Sequence, residues 1–114
     1  MSVIRVTNWD NFETAESRRV NRLSWVAVPN RHDGSSYCEL LDNPNGVAHF
    51  GAWVLIVQVA SKCPTRGTLV RPDGRPHDAA SLARQTHGHP KVLREAIKRL
   101  LAIGWLEEVS GDVA

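Results

Sequence analysis

A mainly α domain with a small β component (α+β) is the fold class this sequence predicts, on three observations. With 42% hydrophobic side chains, 114 residues supply one compact core and one domain. Between residues 79 and 103, apolar residues recur at helical spacing, divided by a glycine and a proline. Short β-type runs lie near both ends, at residues 3–7 (VIRVT) and 105–109 (WLEEV). With 23% charged residues, the composition excludes a disordered tail, a collagenous repeat and a strongly cationic coat protein.

The first β run is followed by a polar stretch, residues 8–21. A second β-branched run, residues 25–28 (WVAV), is closed by Pro29 and the loop RHDGSS. Residues 37–41 (YCELL) suit a short helix ended by DNPNG. Within that turn Asn43 is an expected N-cap, with Pro44 at the first helical position, where no amide donor is needed. Residues 47–62 are apolar on all sides, which predicts a core helix surrounded by other elements. The β-branched VLIVQV portion alone would also suit a buried strand.

Pro64 stops that element, and a short run covers residues 67–71. Pro72-Asp73-Gly74 is turn chemistry: proline presets φ and glycine tolerates a positive one. Asp78 is the expected N-cap of a helix over 79–87, with Gly88 placed to end it in a left-handed conformation. Pro90 restarts a helix in which Leu93, Ala96, Ile97, Leu100 and Ile103 form one stripe. Gly104 ends it before the last strand.

The formal charge of +2 conceals an asymmetry. Residues 1–61 carry a net −1, residues 62–99 a net +6, and the last fifteen a net −3. A local excess of this size attracts phosphate and releases counterions; it also suits a merely solvated face.

Two short helices about three residues apart, the second opened by Pro90, make a helix-turn-helix. The order helix, strand, helix, helix, strand is a winged-helix arrangement. Leu82, Leu93, Ile97, Leu100 and Trp105 would seal the pair onto the long apolar helix. Lys91, Arg94, Glu95 and Lys98 would then face outward, with His87 and His89 in the turn. Arg66, Arg71 and Arg75 form a second candidate phosphate-contacting group. The domain reading is an N-terminal extension, residues 1–45, packed on a winged helix-turn-helix domain, residues 46–114.

The stretch ASLARQTHGHPKVLREAIKRLLAIGWLEE (80–108) resembles the winged helix-turn-helix pattern of bacterial regulators. Leu82-Ala83, Thr86, Gly88, Leu93, Ala96-Ile97, Leu100 and Gly104-Trp105-Leu106-Glu107 hold the matching positions. The longer span from Trp25, through FGAWVLIVQVASKCPTRGTL (50–69), to Glu108 resembles the N-terminal domains of phage and prophage replication proteins, the replisome organisers and DnaD-like primosome components. That resemblance implies binding of double-stranded origin DNA, or self-association into a homo-oligomer, as part of loading a replicative helicase through contact with it or its loader, without catalysis. It also expects a second wing strand after residue 109. Only SGDVA remains there, so the expectation is a rudimentary wing or a fragment of a longer protein.

Other chemistries find little support in the sequence. Cys38 and Cys63 make no disulfide framework, and His77, His87 and His89 match no structural zinc spacing, so neither metal nor cofactor is expected. No nucleophile, base and orienting group assemble. On a strand, Glu107 and Glu108 point to opposite faces. No Gly-rich loop with a GK[ST] ending is present. Trp53 and Trp105 read as core, whereas Trp9 and Trp25 are open to stacking on bases or docking on a protein. No apolar run reaches the roughly 20 residues a membrane span needs, and the N-terminus lacks a signal-peptide pattern. The expected setting is soluble, reducing and cytoplasmic. Two functions follow: a DNA-binding module in replication or transcription, or a protein-interaction and oligomerisation module.

Overall fold

Residues 2–30 and 32–110 are described by the computed structural model. In chain order these residues form β1 (Ser2–Val6), α1 (Ser35–Leu41), α2 (Gly46–Ala60), α3 (Ala79–Thr86), α4 (Pro90–Ala102) and β2 (Leu106–Ser110). Two short 3-10 turns, Trp9–Phe12 and Ser17–Arg19, lie between β1 and α1. The result is a small α+β domain with four α-helices and a two-stranded antiparallel sheet.

Apolar residues all along α2 make it the post around which the other elements gather. Ala52, Trp53, Ile56, Val57, Val59 and Ala60 are buried. Leu93, Ala96 and Leu100 from α4, Leu82 from α3, Leu40 from α1 and Val6 from β1 join them in one core. Each large side chain taken from water here contributes about 1.5–3 kcal/mol. Trp53 and Trp105 meet at a ring separation of 4.8 Å, and Phe12 and Phe50 pack on Trp53 at 5.6 and 5.5 Å. The whole VLIVQV portion is helical, so the buried-strand alternative does not hold. Nor is α2 enclosed on every side: Val47 is 76% exposed, and Ala48, Gly51 and Gln58 also face solvent.

The sheet joins the two ends of the sequence. β1 and β2 run antiparallel in the register Val3↔Val109, Ile4↔Glu108, Arg5↔Glu107 and Val6↔Leu106. Across the pair, Arg5 reaches Glu107 at 2.8 Å. On the other edge of β1, the Leu69 amide donates to Ile4 O and the Val6 amide to Gly67 O, both at 2.8 Å. The run expected over 67–71 therefore adds only isolated bridges, Arg5↔Thr68 and Val70↔Pro76. The second wing strand, expected from SGDVA, falls largely on 111–114, outside the described residues.

Three local expectations are corrected. Residues 25–28 form no strand, because no neighbouring strand offers a ladder; Ala27 makes a single backbone bond, to Phe12 O at 3.3 Å. Asn43 does not cap α2. Its Oδ1 accepts from the Asn45 amide at 2.8 Å in a tight turn, and the helix starts at Gly46. The left-handed residue ending α3 is His87, at φ 61°, not Gly88. Gly88 serves close approach instead: a Cβ there would lie 2.9 Å from Leu93 Cδ2.

Gly46 brings α1 against α2, and a Cβ there would sit 2.6 Å from Leu40 O and 2.7 Å from Leu41 Cα. Gly51 is exposed on the same helix with open space around it. Denaturant unfolding should show Gly46→Ala destabilising by about 1–3 kcal/mol through overpacking. Gly51→Ala should stabilise by about 0.5–1 kcal/mol, through reduced unfolded-chain entropy.

Candidate nucleic-acid interface

The α3–α4 unit is held by local polar contacts at its corners. Asp78 Oδ1 accepts from the Ser81 amide, and Ser81 Oγ accepts from the Asp78 amide, each at 2.8 Å: a reciprocal cap on α3. The hydrogen bond from the Ser81 amide holds the Asp78 carboxyl below its usual range, so its charge complements the helix N-terminus. After Thr86 the chain turns through His87, Gly88 and His89. His89 then caps α4, its Nδ1 accepting from the Lys91 amide at 3.2 Å, with Pro90 in the first turn.

With Leu93, Ala96 and Leu100 buried against α2, the opposite side of α4 is fixed by helical geometry. Lys91, Arg94 and Lys98, at i, i+3 and i+7, are all exposed on it. None of the three joins an ion pair among the described residues. His87 and His89 are exposed in the turn beside them. Arg94 also lines a groove of about 450 Å3 between the sheet and the α3–α4 unit, with Ile4, His77, Asp78, Ile97 and Glu108. Two carboxylates therefore share that groove with Arg94, so the most positive part of the face lies at Lys91 and Lys98.

The second group of candidates does not form a cluster. Arg66 is committed to the interior of the fold. Its guanidinium meets buried Glu13 at 2.8 Å, donates to Ser17 O at 3.0 Å and reaches Val20 O. Arg66, expected to contact phosphate, thus directs these donors to the 13–20 segment. Arg75 is exposed but paired with Asp73 at 2.8 Å in the Pro72-Asp73-Gly74 turn. Arg71 is half-buried, its Nε without a partner.

Two further α4 residues depart from a purely outward role. Glu95, expected on the outer face, turns toward α2, its Oε2 3.4 Å from His49 Nε2 without a well-aligned hydrogen bond. Arg99 donates to His49 Nδ1 at 2.8 Å and to Glu39 O at 3.0 Å, tying α4 to α2 and α1. Because a guanidinium cannot accept, His49 Nδ1 carries the lone pair and Nε2 the proton. Arg84, exposed in the last turn of α3, is a candidate the sequence reading counted only as charge. Its place on the side of the helix opposite Leu82 and Ala83 was the available signal.

Two groups able to do covalent chemistry, Cys63 and Ser81, are otherwise engaged. Burial pushes the Cys63 thiol up, which keeps it protonated and weakly nucleophilic near neutrality. Ser81 Oγ lies 2.9 Å from His77 Nδ1, yet the same hydroxyl closes the α3 cap. Among the described residues, no group of three or more His, Cys, Asp or Glu side chains comes together to hold a metal ion. Trp9 is half-buried, stacked on Phe12 at 5.5 Å, with Nε1 donating to Glu13 Oε2 at 2.7 Å. Trp25 stays 60% exposed.

Comparison with protein-family models, with curated proteins and with solved structures finds no match for this chain. Among the described residues, no helix is long and apolar enough to cross a membrane.

His77 is buried, and desolvation, followed by the nearby Arg71 charge, lowers its proton affinity below the ordinary value of 6.5. Above 6.5 the ring is neutral in both folded and unfolded chains and has no effect on pH dependence. As pH falls through 6.5 toward the lowered folded value, the unfolded chain takes up the proton first and stability drops. Denaturant midpoints measured from about pH 7.5 down to about pH 5 should therefore show His77→Gln gaining on wild type as the solution becomes acidic.

Proposed function

We propose that this chain is a DNA-binding winged-helix domain that lays α4 in the major groove of duplex DNA. The observation that carries this reading is the face of Lys91, Arg94 and Lys98. It is exposed, without ion pairs among the described residues, on a helix entered through the turn His87-Gly88-His89. The winged-helix part draws support from the order of α2, the 67–71 segment, α3, α4 and β2. It also draws support from β1, which pairs antiparallel with β2 and bridges to Thr68. β1 thus lies between β2 and the Thr68 bridge.

The biological setting we propose is initiation of phage or prophage replication, through origin binding and recruitment of a replicative helicase or loader. Its support is the resemblance of residues 50–69 and 80–108 to that group of proteins. Use as a transcriptional regulator is compatible with the same face. A second reading, a homo-oligomerisation module, is favoured by the exposed Val47, Ala48 and Gly51 side of α2. Light scattering during gel filtration tests it, a monomer at every concentration counting against it.

Titration of labelled duplex DNA at several salt concentrations tests the main reading. Wild type should bind with a clear salt dependence. The variant K91E/R94E/K98E should bind orders of magnitude more weakly, with the slope of log K against log salt reduced by about 2–3. All three side chains are exposed, so its unfolding midpoint should stay near that of wild type. Absence of binding at low salt, or a slope near zero, would overturn the reading.

A further inference from the structure

Three of the four tryptophans are packed: Trp53 and Trp105 against each other, Trp9 on Phe12. Trp25 is the exception, 60% exposed beside Val28 at 38%. Leaving an indole in water forfeits a large burial term, so its surroundings bear on what it meets. Trp25 lines a cleft of about 360 Å3 with Leu23, Val26, Gln58, Ser61 and Lys62, where the 23–28 loop crosses the C-terminal end of α2.

That loop is anchored on both sides. Arg66 holds Ser17 O and Val20 O upstream, and the Ala27 amide donates to Phe12 O downstream. Basic residues predominate in the segment leading into the cleft. Residues 17–30 contain Arg18, Arg19 and Arg22 and no acid, and the cleft itself adds Lys62 and no carboxylate. Arg18 pairs loosely with Asp10 at 3.7 Å; Arg19 and Arg22 are exposed and take part in no ion pair among the described residues. An aromatic face, an amide able to read a base edge and neighbouring cations together match an unstacked nucleotide. Ser24, Gln58, Ser61 and Lys62 give the cleft a polar rim, which suits a ligand with hydrogen-bonding edges. Duplex DNA fits poorly, since its bases are already stacked.

We propose that the Trp25 cleft binds single-stranded nucleic acid, one base stacking on the Trp25 indole and the adjoining phosphate drawn to Lys62. The site is separate from the α4 face and extends the chain's reach from duplex to opened strand.

Fluorescence anisotropy of a labelled oligothymidylate of about 12 nucleotides, titrated with the whole chain at low salt, tests this. Trp25→Ala should weaken binding by about 5- to 150-fold, and Trp25→Phe, which keeps a stacking face, should retain most of it. Lys62→Glu should weaken binding and reduce the salt slope by about 0.7. Affinity for a duplex of equal length should be unchanged by Trp25→Ala, and circular dichroism should report wild-type folding for each variant. No binding of the oligothymidylate at low salt, or equal affinity for wild type and Trp25→Ala, overturns the proposal. Equal losses on duplex and single strand overturn it too, by assigning Trp25 to the duplex site. A shift from dimer to monomer in Trp25→Ala with oligonucleotide affinity intact overturns it in favour of a second copy of this chain.

Discussion

Burial of α2 is the constraint on which the rest of the molecule depends. Its side chains from Ala52 to Ala60 supply apolar surface that α4, α3, α1 and β1 must cover. Once Leu93, Ala96 and Leu100 are turned inward, helical periodicity leaves α4 no choice about its outer face. Lys91, Arg94 and Lys98 are exposed because Leu93, Ala96 and Leu100, on the opposite side of the helix, are buried. The face proposed to meet DNA is thus a by-product of core packing, and its orientation is as rigid as the core.

A second layer of order comes from arginines that act as internal clamps. Arg66 draws the 13–20 segment onto the turn after α2, and Arg99 ties α4 to His49 and Glu39. Both hold main-chain carbonyls as well as side chains, which suits the planar, multi-donor guanidinium better than an ammonium. The basic block at residues 62–99 therefore divides into two populations. One, led by Arg66 and Arg99, stabilises the fold, and the other, Lys62, Arg75, Arg84, Lys91, Arg94 and Lys98, faces solvent.

Much of the fold was legible from residue pattern. The two amphipathic helices, the Asp78 cap, Pro90 at the start of α4 and Gly104 after it lie where local chemistry puts them. Gly104 adopts a φ of 82°, as a left-handed stop requires. Legibility failed where a local signal was outweighed by a contact it could not foresee. Val26 and Val28 have strand character, yet a strand without a ladder leaves its amides to water. His87 takes the left-handed position, and Gly88 instead serves the close approach of Leu93 Cδ2.

For the candidate site the same division applies. By itself the sequence determined the helix-turn-helix pattern, the spacing of Lys91, Arg94 and Lys98 along one face, and the apolar character of α2, since these depend on residues within a few turns of one another. Only tertiary structure decided which cations are available, because the partners that engage Arg66 and Arg99 lie 53 and 50 residues away in sequence. It alone decided that Trp9 is packed while Trp25 stands in solvent. It alone paired β1 with β2, joining Arg5 to Glu107 across 102 residues. Side-chain periodicity is a property of neighbours; a hydrogen-bond ladder or a buried guanidinium is a property of what the folded chain brings alongside.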